Sequence, residues 1–282
     1  MTLIIHGASG AQGAPVVATL LARGESPIAA VRDESSYSGT ASAVSVDSSS
    51  VESLVTAYTG ADAIFIHLPI GSGEQQLTQA RAIVEAVQQV QPARVVVSTS
   101  GYPVDGPDGV QMPIGVLLEG LRASGVSLAV VTPKLFLENL LLPPVTSGVH
   151  DDAILRYPLR ADYAVSWASH LDVAEVIATL LLDPTITGTV GVGALPGLLG
   201  SDLAAGFSTH LGTSVAFEAQ TPDAFGASII PLFGEAGATP VVDSYRWRAT
   251  QADEVIDADT SAQQRLGLTP RSVAQWLSDV SA

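Results

Sequence analysis

The chain has 282 residues, of which 47% are hydrophobic and 14% charged, and its formal net charge is −16. This composition excludes a disordered chain, and the acidic balance argues against nucleic acid or an anionic membrane as a partner. The absence of cysteine excludes disulfide bonds, thiolate catalysis and cysteine-ligated metals. Because we find neither a basic leader with a cleavage site nor an apolar run of the ~18–20 residues that span a membrane, we expect a soluble, cytoplasmic protein acting on a small molecule.

The chain begins with an apolar strand from Leu3 that runs into three glycines spaced three apart, followed by a helical segment over 14–23. Glycine permits a sharp turn, close approach of the backbone to a pyrophosphate and close packing of helix on strand, and a helix N-terminus attracts anions. The preceding strand and following helix are the context in which this motif predicts dinucleotide binding. We assign the cofactor cradle to Gly7, Ser9, Gly10, Ala11, Gln12 and Gly13.

The next segments alternate between apolar strands and helices. Further strands are predicted over 27–31, 43–47, 63–68, 94–98 and 126–131, and further helices over 51–58, 74–90 and 113–123. Continuous apolar strands joined by helices indicate a parallel sheet covered on both faces, with ligands at the carboxyl ends of its strands. The predicted fold class is therefore α/β, a doubly wound, Rossmann-like parallel sheet.

After Pro133 the alternation weakens. We predict a short helix over 135–142 broken by Pro143-Pro144, an irregular stretch over 147–168 covering the reactive end of the cofactor, a helix over 170–182, a seventh strand over 189–192, and helices over 202–211, 222–233 and 273–280. Gly267 is predicted to end one helix, and Thr269 with Pro270 to begin the last. The predicted organisation is a dinucleotide-binding domain over 1–145 and a smaller substrate-side subdomain over 146–282, integrated with the sheet.

Arg32 follows the second strand, where the adenosine ribose of a dinucleotide would lie, and its guanidinium can bind a 2′-phosphate. This position favours NADP(H) over NAD(H). The competing interpretation gives Asp33 the ribose diol, which favours NAD(H). Asp47 and Ser48 end the third strand and are placed to meet the adenine edge, with an ordinary helix cap as the alternative.

The ends of the fourth and fifth strands supply the remaining first-half candidates. We predict cofactor contacts from His67, Leu68 and Pro69 and from Ser98 and Thr99, with a neighbouring hydroxyl at Ser100 available to a substrate carbonyl. Ordinary strand-end polarity is the alternative. The five histidines are scattered and show no repeated carboxylate spacing, so we predict no metal site.

Several of these runs resemble the NmrA-like branch of the atypical short-chain dehydrogenase/reductases. They are the glycine turn, Val31-Arg32-Asp33, Asp47, the turn at 124–126 leading into residues 132–139, and Asp172-Val173-Ala174-Glu175-Val176. The resemblance spans most of the chain and implies a Rossmann-like fold with NADP(H) across the strand ends and a substrate cleft under the C-terminal segment. Relatives in that branch include quinone, triphenylmethane-dye and benzylic ether reductases, and proteins that bind the nucleotide only to sense it.

The chain departs from that superfamily at its proton donor. The usual Tyr is followed four residues later by a Lys that lowers its pKa, but Tyr102 is followed by Gly106, and the start of the predicted helix at 113–116 is wholly apolar. Lys134, the only lysine, replaces a usual Gly and is expected near the nicotinamide with Phe136; an exposed loop cation is the alternative. The catalytic candidates are Lys134, Ser100 and Tyr102.

Three functions are compatible with these features. The first is an NAD(P)H-dependent oxidoreductase that passes hydride to a small aromatic or quinone-like acceptor, which delocalises the incoming charge and makes a dedicated acid less necessary. The second is a catalytically silent NADP(H) sensor, which predicts an exposed apolar patch on the C-terminal part. The third is a tailoring enzyme for an aromatic polyketide-like substrate, including cofactor-assisted oxygenation. Monomer and homodimer both remain open.

Overall fold

A computed structural model describes residues 1–105 and 110–281. Within it the chain forms two compact units. The first contains Met1–Pro133, His170–Val192 and Asp259–Leu268, and the second contains Lys134–Ser169, Gly193–Ala258 and Thr269–Ala282. The predicted organisation has one boundary, between residues 145 and 146, whereas the two units are interleaved along the chain.

The strands and helices alternate regularly in the first half of the chain. The strands are β1 Leu3–His6, β2 Ile28–Val31, β3 Ser42–Ser45, β4 Ala63–Ile66, β5 Arg94–Ser98, β6 Ser127–Pro133, β7 Leu135–Phe136, β8 Ile154–Tyr157, β9 Trp167–Ala168, β10 Gly188–Val192 and β11 Ala216–Ala219. The helices are α1 Gly13–Ala22, α2 Val51–Tyr58, α3 Gly73–Val90, α4 Pro113–Ala123, α5 Pro143–Asp152, α6 His170–Leu182, α7 Gly200–Leu211, α8 Pro222–Arg248, α9 Ala262–Leu266 and α10 Val273–Ser281. Short 3₁₀ helices cover Glu34–Ser36 and Leu137–Leu141.

The first unit is built on a parallel sheet of seven strands in the order β10-β6-β5-β4-β1-β2-β3. This confirms the predicted α/β fold, including β10 as the seventh strand. The strand order reverses between β1 and β4, and ligands of such sheets bind in the crevice outside the carboxyl ends at that point. Gly7 follows β1 and His67 follows β4, so both stand at this crevice.

The core of the first unit follows from the continuous apolar strands. Every residue of β1, β4 and β5 is buried. On one side of the sheet α3 packs between α2 and α4, while α1 packs on α6, which also contacts β4, β5 and β6. Both faces of the central strands are therefore covered, which explains why these strands lack a polar alternation.

The second unit differs from the prediction in several places. It contains two small parallel sheets, β11-β8 and β7-β9, and neither was predicted. The predicted helix over 135–142 is wrong, because this segment forms β7 and a 3₁₀ turn. Pro143 begins α5 instead of breaking a helix, since its fixed φ and missing N–H suit the first helical position.

The C-terminal helix begins at Val273, as its predicted range has it, but its N-terminal cap differs from the prediction. Ser272 caps α10, because its Oγ accepts a hydrogen bond from the backbone N–H of Gln275 at 3.2 Å and its carbonyl accepts one from Trp276 at 2.9 Å. The prediction that Thr269 and Pro270 begin this helix is therefore wrong. Gly267, with a φ of +66°, ends α9 as predicted.

Helix α8 is long and apolar enough to cross a membrane by length and composition, although the sequence was expected to contain no such segment. It is two helices joined at Gly234, whose φ of +70° and ψ of 169° are not helical. Neither half alone reaches the ~20 residues of a membrane span. Phe225, Ile229 and Tyr245 from this segment pack into the core of the second unit.

A buried arginine joins three segments of the first unit. Arg94 is 1% exposed and donates hydrogen bonds to the carbonyl oxygens of Leu180, at 2.9 Å, and Ile186, at 2.6 Å, and to Oγ of Ser127, at 3.0 Å. Burial lowers its pKa to about 10, while the charge of Asp183 acts in the opposite direction. The guanidinium thus connects β5 to β6, to the end of α6 and to the start of β10.

We predict that Arg94→Met lowers the free energy of unfolding by about 3 kcal/mol. Each buried acceptor that loses its hydrogen-bond partner costs ~1–3 kcal/mol, and relaxation of the surrounding structure recovers part of that cost. Urea denaturation measures this difference. Arg81→Met, at an exposed position on α3, is the matched control and should change stability by less than ~0.5 kcal/mol. Equal stability of the two variants would contradict the structural role of Arg94.

Candidate functional site

The glycine turn after β1 is held by two backbone hydrogen bonds, from Gly10 N–H to the Gly7 carbonyl at 2.8 Å and from Ala14 N–H to the Gly10 carbonyl at 3.0 Å. Gly7 has a φ of +60°, and a Cβ there would collide with the ring of His67. A Cβ on Gly13 would collide with the backbone of Gly7 and His6. Packing alone therefore requires glycine at both positions.

The tip of the same turn is open. Ser9, Gly10 and Ala11 are exposed, and a Cβ on Gly10 would meet only the Gly7 carbonyl oxygen, at 3.2 Å. The first N–H groups of α1 have no partner within the helix and point outward from its positive end. These residues fit the pyrophosphate of a dinucleotide, because they offer backbone donors and no side chain in its way.

Three histidines lie near one another, namely His6 at the end of β1, His67 after β4 and His170 at the start of α6, and the charge of His67 would act on the other two. Nε2 of His67 is buried and has no hydrogen-bond partner among the described residues, while its Nδ1 is 3.4 Å from the Leu68 carbonyl oxygen. Burial lowers the pKa of His67. Burial, together with the charge His67 would carry, lowers the pKa of His6 to about 3 and that of His170 to about 4. All three imidazoles are therefore neutral at neutral pH.

A hydrogen-bond chain connects the glycine turn to the end of β5. Ser98 Oγ donates to Gln12 Oε1 at 2.9 Å, and Gln12 Nε2 donates to Ser100 Oγ at 2.9 Å. The backbone N–H of Ser100 donates to Ser98 Oγ at 3.1 Å. Ser98 is fully buried, whereas Ser100 is half-buried and has a φ of +56°, a conformation that few non-glycine residues adopt.

Arg32 and Asp33 are both exposed beyond β2, but their side chains are engaged differently. Asp33 Oδ1 accepts hydrogen bonds from the backbone N–H of Ser35 at 2.9 Å and from its hydroxyl at 2.7 Å, and these bonds lower the pKa of Asp33. Arg32 makes no ion pair within the described part of the chain. The carboxylate is occupied by its own turn, while the guanidinium is available to a ligand.

The other predicted contacts of the first unit lie at strand ends. Asp47 Oδ1 accepts from the Ser49 N–H at 2.9 Å in a turn before α2, whose N-cap is Ser50, so the helix-cap alternative is wrong for Asp47 and Ser48. The adenine contact of these two residues stays a prediction. The remaining predicted contact residues differ in their burial. Leu68 and Thr99 are buried, while Pro69 is exposed and its carbonyl accepts from Gln76 Nε2 at 2.9 Å.

The structure does not bring all the candidates into one unit. Lys134 begins the second unit, with Phe136 in β7, whereas every other candidate belongs to the first unit. Tyr102 is 39% exposed, and its backbone N–H donates to the Thr99 carbonyl at 2.9 Å. Gly106, the position at which the superfamily carries its lysine, lies outside the described residues.

Sequence reasoning missed a buried polar cluster in the second unit. The hydroxyl of Tyr157 is bonded to the hydroxyl of Tyr245 and to the side chain of Asn139, and burial raises the pKa of Tyr157. Trp276 Nε1 donates to Glu138 Oε1 at 3.0 Å. Glu138 and Asn139 belong to the run over 132–139 that carries the family resemblance, and this run is the sequence signal that could have indicated their internal contacts.

The buried histidine of β1 makes stability depend on pH. The unfolded chain takes up a proton on His6 near pH 6.5, whereas in the folded protein its pKa is lowered to about 3. The free energy of unfolding therefore falls as the pH drops below 6.5, by about 2 kcal/mol from this residue at pH 5. Its Nε2 lies 2.7 Å from the Tyr58 hydroxyl.

We predict that His6→Gln, which keeps a hydrogen-bonding group for Tyr58 but cannot titrate, loses about 2 kcal/mol less stability than the wild type between pH 7.5 and pH 5. Urea denaturation at both pH values measures this. His150→Gln, at an exposed position, is the control and should keep the wild-type pH dependence. Identical pH slopes in wild type and His6→Gln would contradict a neutral buried His6.

Comparison with solved structures identifies relatives of the whole architecture. Citrobacter sp. triphenylmethane reductase complexed with NADP(H) matches with a TM-score of 0.79 and 15% identity, over 98% of this chain and 99% of that chain. Escherichia coli NADPH-dependent quinone oxidoreductase complexed with NADPH matches with a TM-score of 0.74 and 15% identity, over 100% of both chains. NmrA, a negative transcriptional regulator in complex with NADP, matches with a TM-score of 0.63 and 17% identity, over 78% of this chain and 74% of that chain.

At these identities the structural likeness shows the fold, which is the Rossmann-like α/β fold described above. The model of the NmrA-like family matches residues 1–277, which is nearly the entire chain. The chain therefore belongs to the NmrA-like family.

Proposed function

We propose that this protein is an NADPH-dependent reductase that acts on a small quinone-like acceptor. The observation that carries this proposal is the pairing, within one unit, of an open glycine turn with the hydroxyl-bearing end of β5, joined through Gln12. The fold is shared with a triphenylmethane reductase and a quinone oxidoreductase, which supports the reaction class. A cytoplasmic location is part of the same proposal.

The cofactor in this proposal is NADP(H) in preference to NAD(H). Arg32 is exposed beyond β2 and free of ion pairs within the described residues, so it can bind a 2′-phosphate. Asp33, the residue that would bind an unphosphorylated ribose, is engaged by Ser35. Three of the structural relatives are complexed with NADP or its reduced form, which agrees with this choice.

The reduction needs little from the protein beyond positioning. NADPH supplies a hydride, which adds two electrons and one hydrogen to the acceptor, and water supplies the remaining proton of the hydroquinone. Ser100 is placed to donate a hydrogen bond to the acceptor oxygen as that oxygen gains charge. Lys134, half-buried and without an ion pair among the described residues, stays a candidate for the same charge. Tyr102 is dispensable in this proposal, because the lysine that would usually follow it four residues later is absent.

We expect the purified protein to oxidise NADPH in the presence of 1,4-naphthoquinone, measured as loss of absorbance of the reduced nicotinamide. Tyr102→Phe should retain the wild-type kcat, because a delocalised acceptor does not need the phenol as an acid. Turnover should not depend on oxygen, which separates reduction from cofactor-assisted oxygenation. Tight NADPH binding without turnover of any quinone would contradict the proposal.

A sensor is the second candidate, and one observation favours it. Three large apolar side chains in four residues are exposed on α8, namely Ile230, Leu232 and Phe233, and such a patch is expected of a surface that binds a protein partner. NmrA itself is a transcriptional regulator with the same fold. A sensor without catalytic function would bind NADP⁺ and NADPH with comparable affinity and turn over no acceptor.

We predict that Arg32→Ala weakens NADP⁺ binding by about 10- to 100-fold and leaves NAD⁺ binding unchanged, because the charged hydrogen bonds to the 2′-phosphate contribute ~1.5–3 kcal/mol. Calorimetric titration measures both affinities. Arg81→Ala is the matched control, since it removes the same charge from an exposed site on α3. Equal losses for the two cofactors would assign Arg32 no part in selecting between them.

A further inference from the structure

We propose that Gln12 is a positioning residue that makes Ser100 an obligate hydrogen-bond donor toward the oxygen of the acceptor. This inference rests on the proposed reductase function and adds to it the side chain that orients the donor. Gln12 lies in the glycine turn and Ser100 follows β5, so they are distant in sequence but in direct contact.

Ser98 sets the donor-to-acceptor direction of the hydrogen bonds that run from Ser98 through Gln12 to Ser100. This residue is fully buried, so its hydroxyl proton needs an acceptor within the protein. Its Oγ already accepts the backbone N–H of Ser100 at 3.1 Å, and the atom that receives its proton is Gln12 Oε1 at 2.9 Å. The Ser98 hydroxyl therefore fixes the orientation of the Gln12 amide, with its oxygen toward Ser98.

The opposite orientation of the amide is disfavoured for the same reason. If the oxygen and nitrogen of Gln12 were exchanged, its NH₂ group would face Ser98 Oγ and the buried Ser98 hydroxyl would have no acceptor. An unpaired buried hydroxyl is costly, so the amide keeps its nitrogen toward Ser100.

The consequence falls on Ser100. Its Oγ accepts a hydrogen bond from Gln12 Nε2 at 2.9 Å, so the proton of the Ser100 hydroxyl points away from the amide. Among the described residues, no acceptor for that proton lies within hydrogen-bond distance. Ser100 also has a φ of +56°, an uncommon conformation for serine and of the kind that occurs at binding sites.

A donor with this fixed direction selects the chemistry of its ligand. It stabilises an oxygen that offers lone pairs and gains negative charge, such as a quinone carbonyl receiving hydride equivalents, and the Gln12 N–H strengthens the donor by polarising Ser100. Hydride transfer makes the carbonyl compound the reduced species and NADPH the oxidised one. Ser100 keeps its proton, and water protonates the product.

Gln12→Glu tests this directly, because a carboxylate can only accept. It would take hydrogen bonds from both Ser98 and Ser100 and turn the Ser100 proton inward. Loss of an oxyanion donor lowers kcat by about 10²- to 10³-fold, and we expect a loss in this range with 1,4-naphthoquinone. Binding of 1,4-naphthoquinone to the NADP⁺-loaded protein, measured by tryptophan fluorescence, should weaken about tenfold.

The added charge of the glutamate is controlled by a double-mutant cycle. In the Ser100→Ala background and at saturating cofactor, Gln12→Glu should lower neither kcat nor quinone affinity further, because Gln12 acts on the acceptor oxygen through Ser100. An equal additional loss in that background overturns the inference, as does wild-type behaviour of Gln12→Glu alone. If Gln12→Glu does not fold, Ser98→Ala is tested in its place. This variant frees the amide of Gln12 to rotate and should lower kcat several-fold, and an unchanged kcat overturns the inference.

The outcome also separates this inference from the function on which it rests. A wild-type protein that binds NADP⁺ but neither binds nor reduces the quinone overturns the reductase proposal and this inference together. A wild-type protein that reduces the quinone, with a Gln12→Glu variant equally active, overturns the role of Gln12 alone.

Discussion

The site depends on one close approach, between the backbone of Gly7 and the ring of His67 at the point where the strand order reverses. A side chain at Gly7 would collide with that ring, and one at Gly13 would collide with the Gly7 backbone. These contacts bring the end of β1, the end of β4 and the start of α1 together. The tip of the turn, which we propose binds a pyrophosphate, lies between these packed glycines.

Two polar side chains inside the first unit connect segments of the sheet through hydrogen bonds. Arg94 joins segments that are far apart in the sequence, and Gln12 joins the cradle to the end of β5. In both cases each buried hydrogen-bonding group meets a partner, which gives the sheet a unique arrangement. Buried unpaired groups are expensive, and among the described residues the buried Nε2 of His67, which packs against Gly7, has no hydrogen-bond partner.

The sequence predicted the sheet of the first unit and several helices of the second, but not the two small sheets of the second unit. Apolar strands separated by helices predict a parallel sheet whatever its distant contacts, and the glycine turn has a local signature. The pairing of β8 with β11 joins segments with no common pattern, and Pro143 reads equally well as a helix breaker or a helix start. The hydrogen bonds of Gln12 could not be predicted from the sequence, because its partners Ser98 and Ser100 lie 86 and 88 residues away.

We propose, above all, that the cradle presents NADPH to an acceptor that is reduced without a dedicated proton donor. Mixing the NADPH-loaded protein with 1,4-naphthoquinone under anaerobic conditions in a single turnover tests it most directly. We expect one equivalent of bound NADPH to be oxidised for each equivalent of quinone reduced. Bound NADPH that stays reduced in the presence of excess quinone would contradict it and favour the sensor.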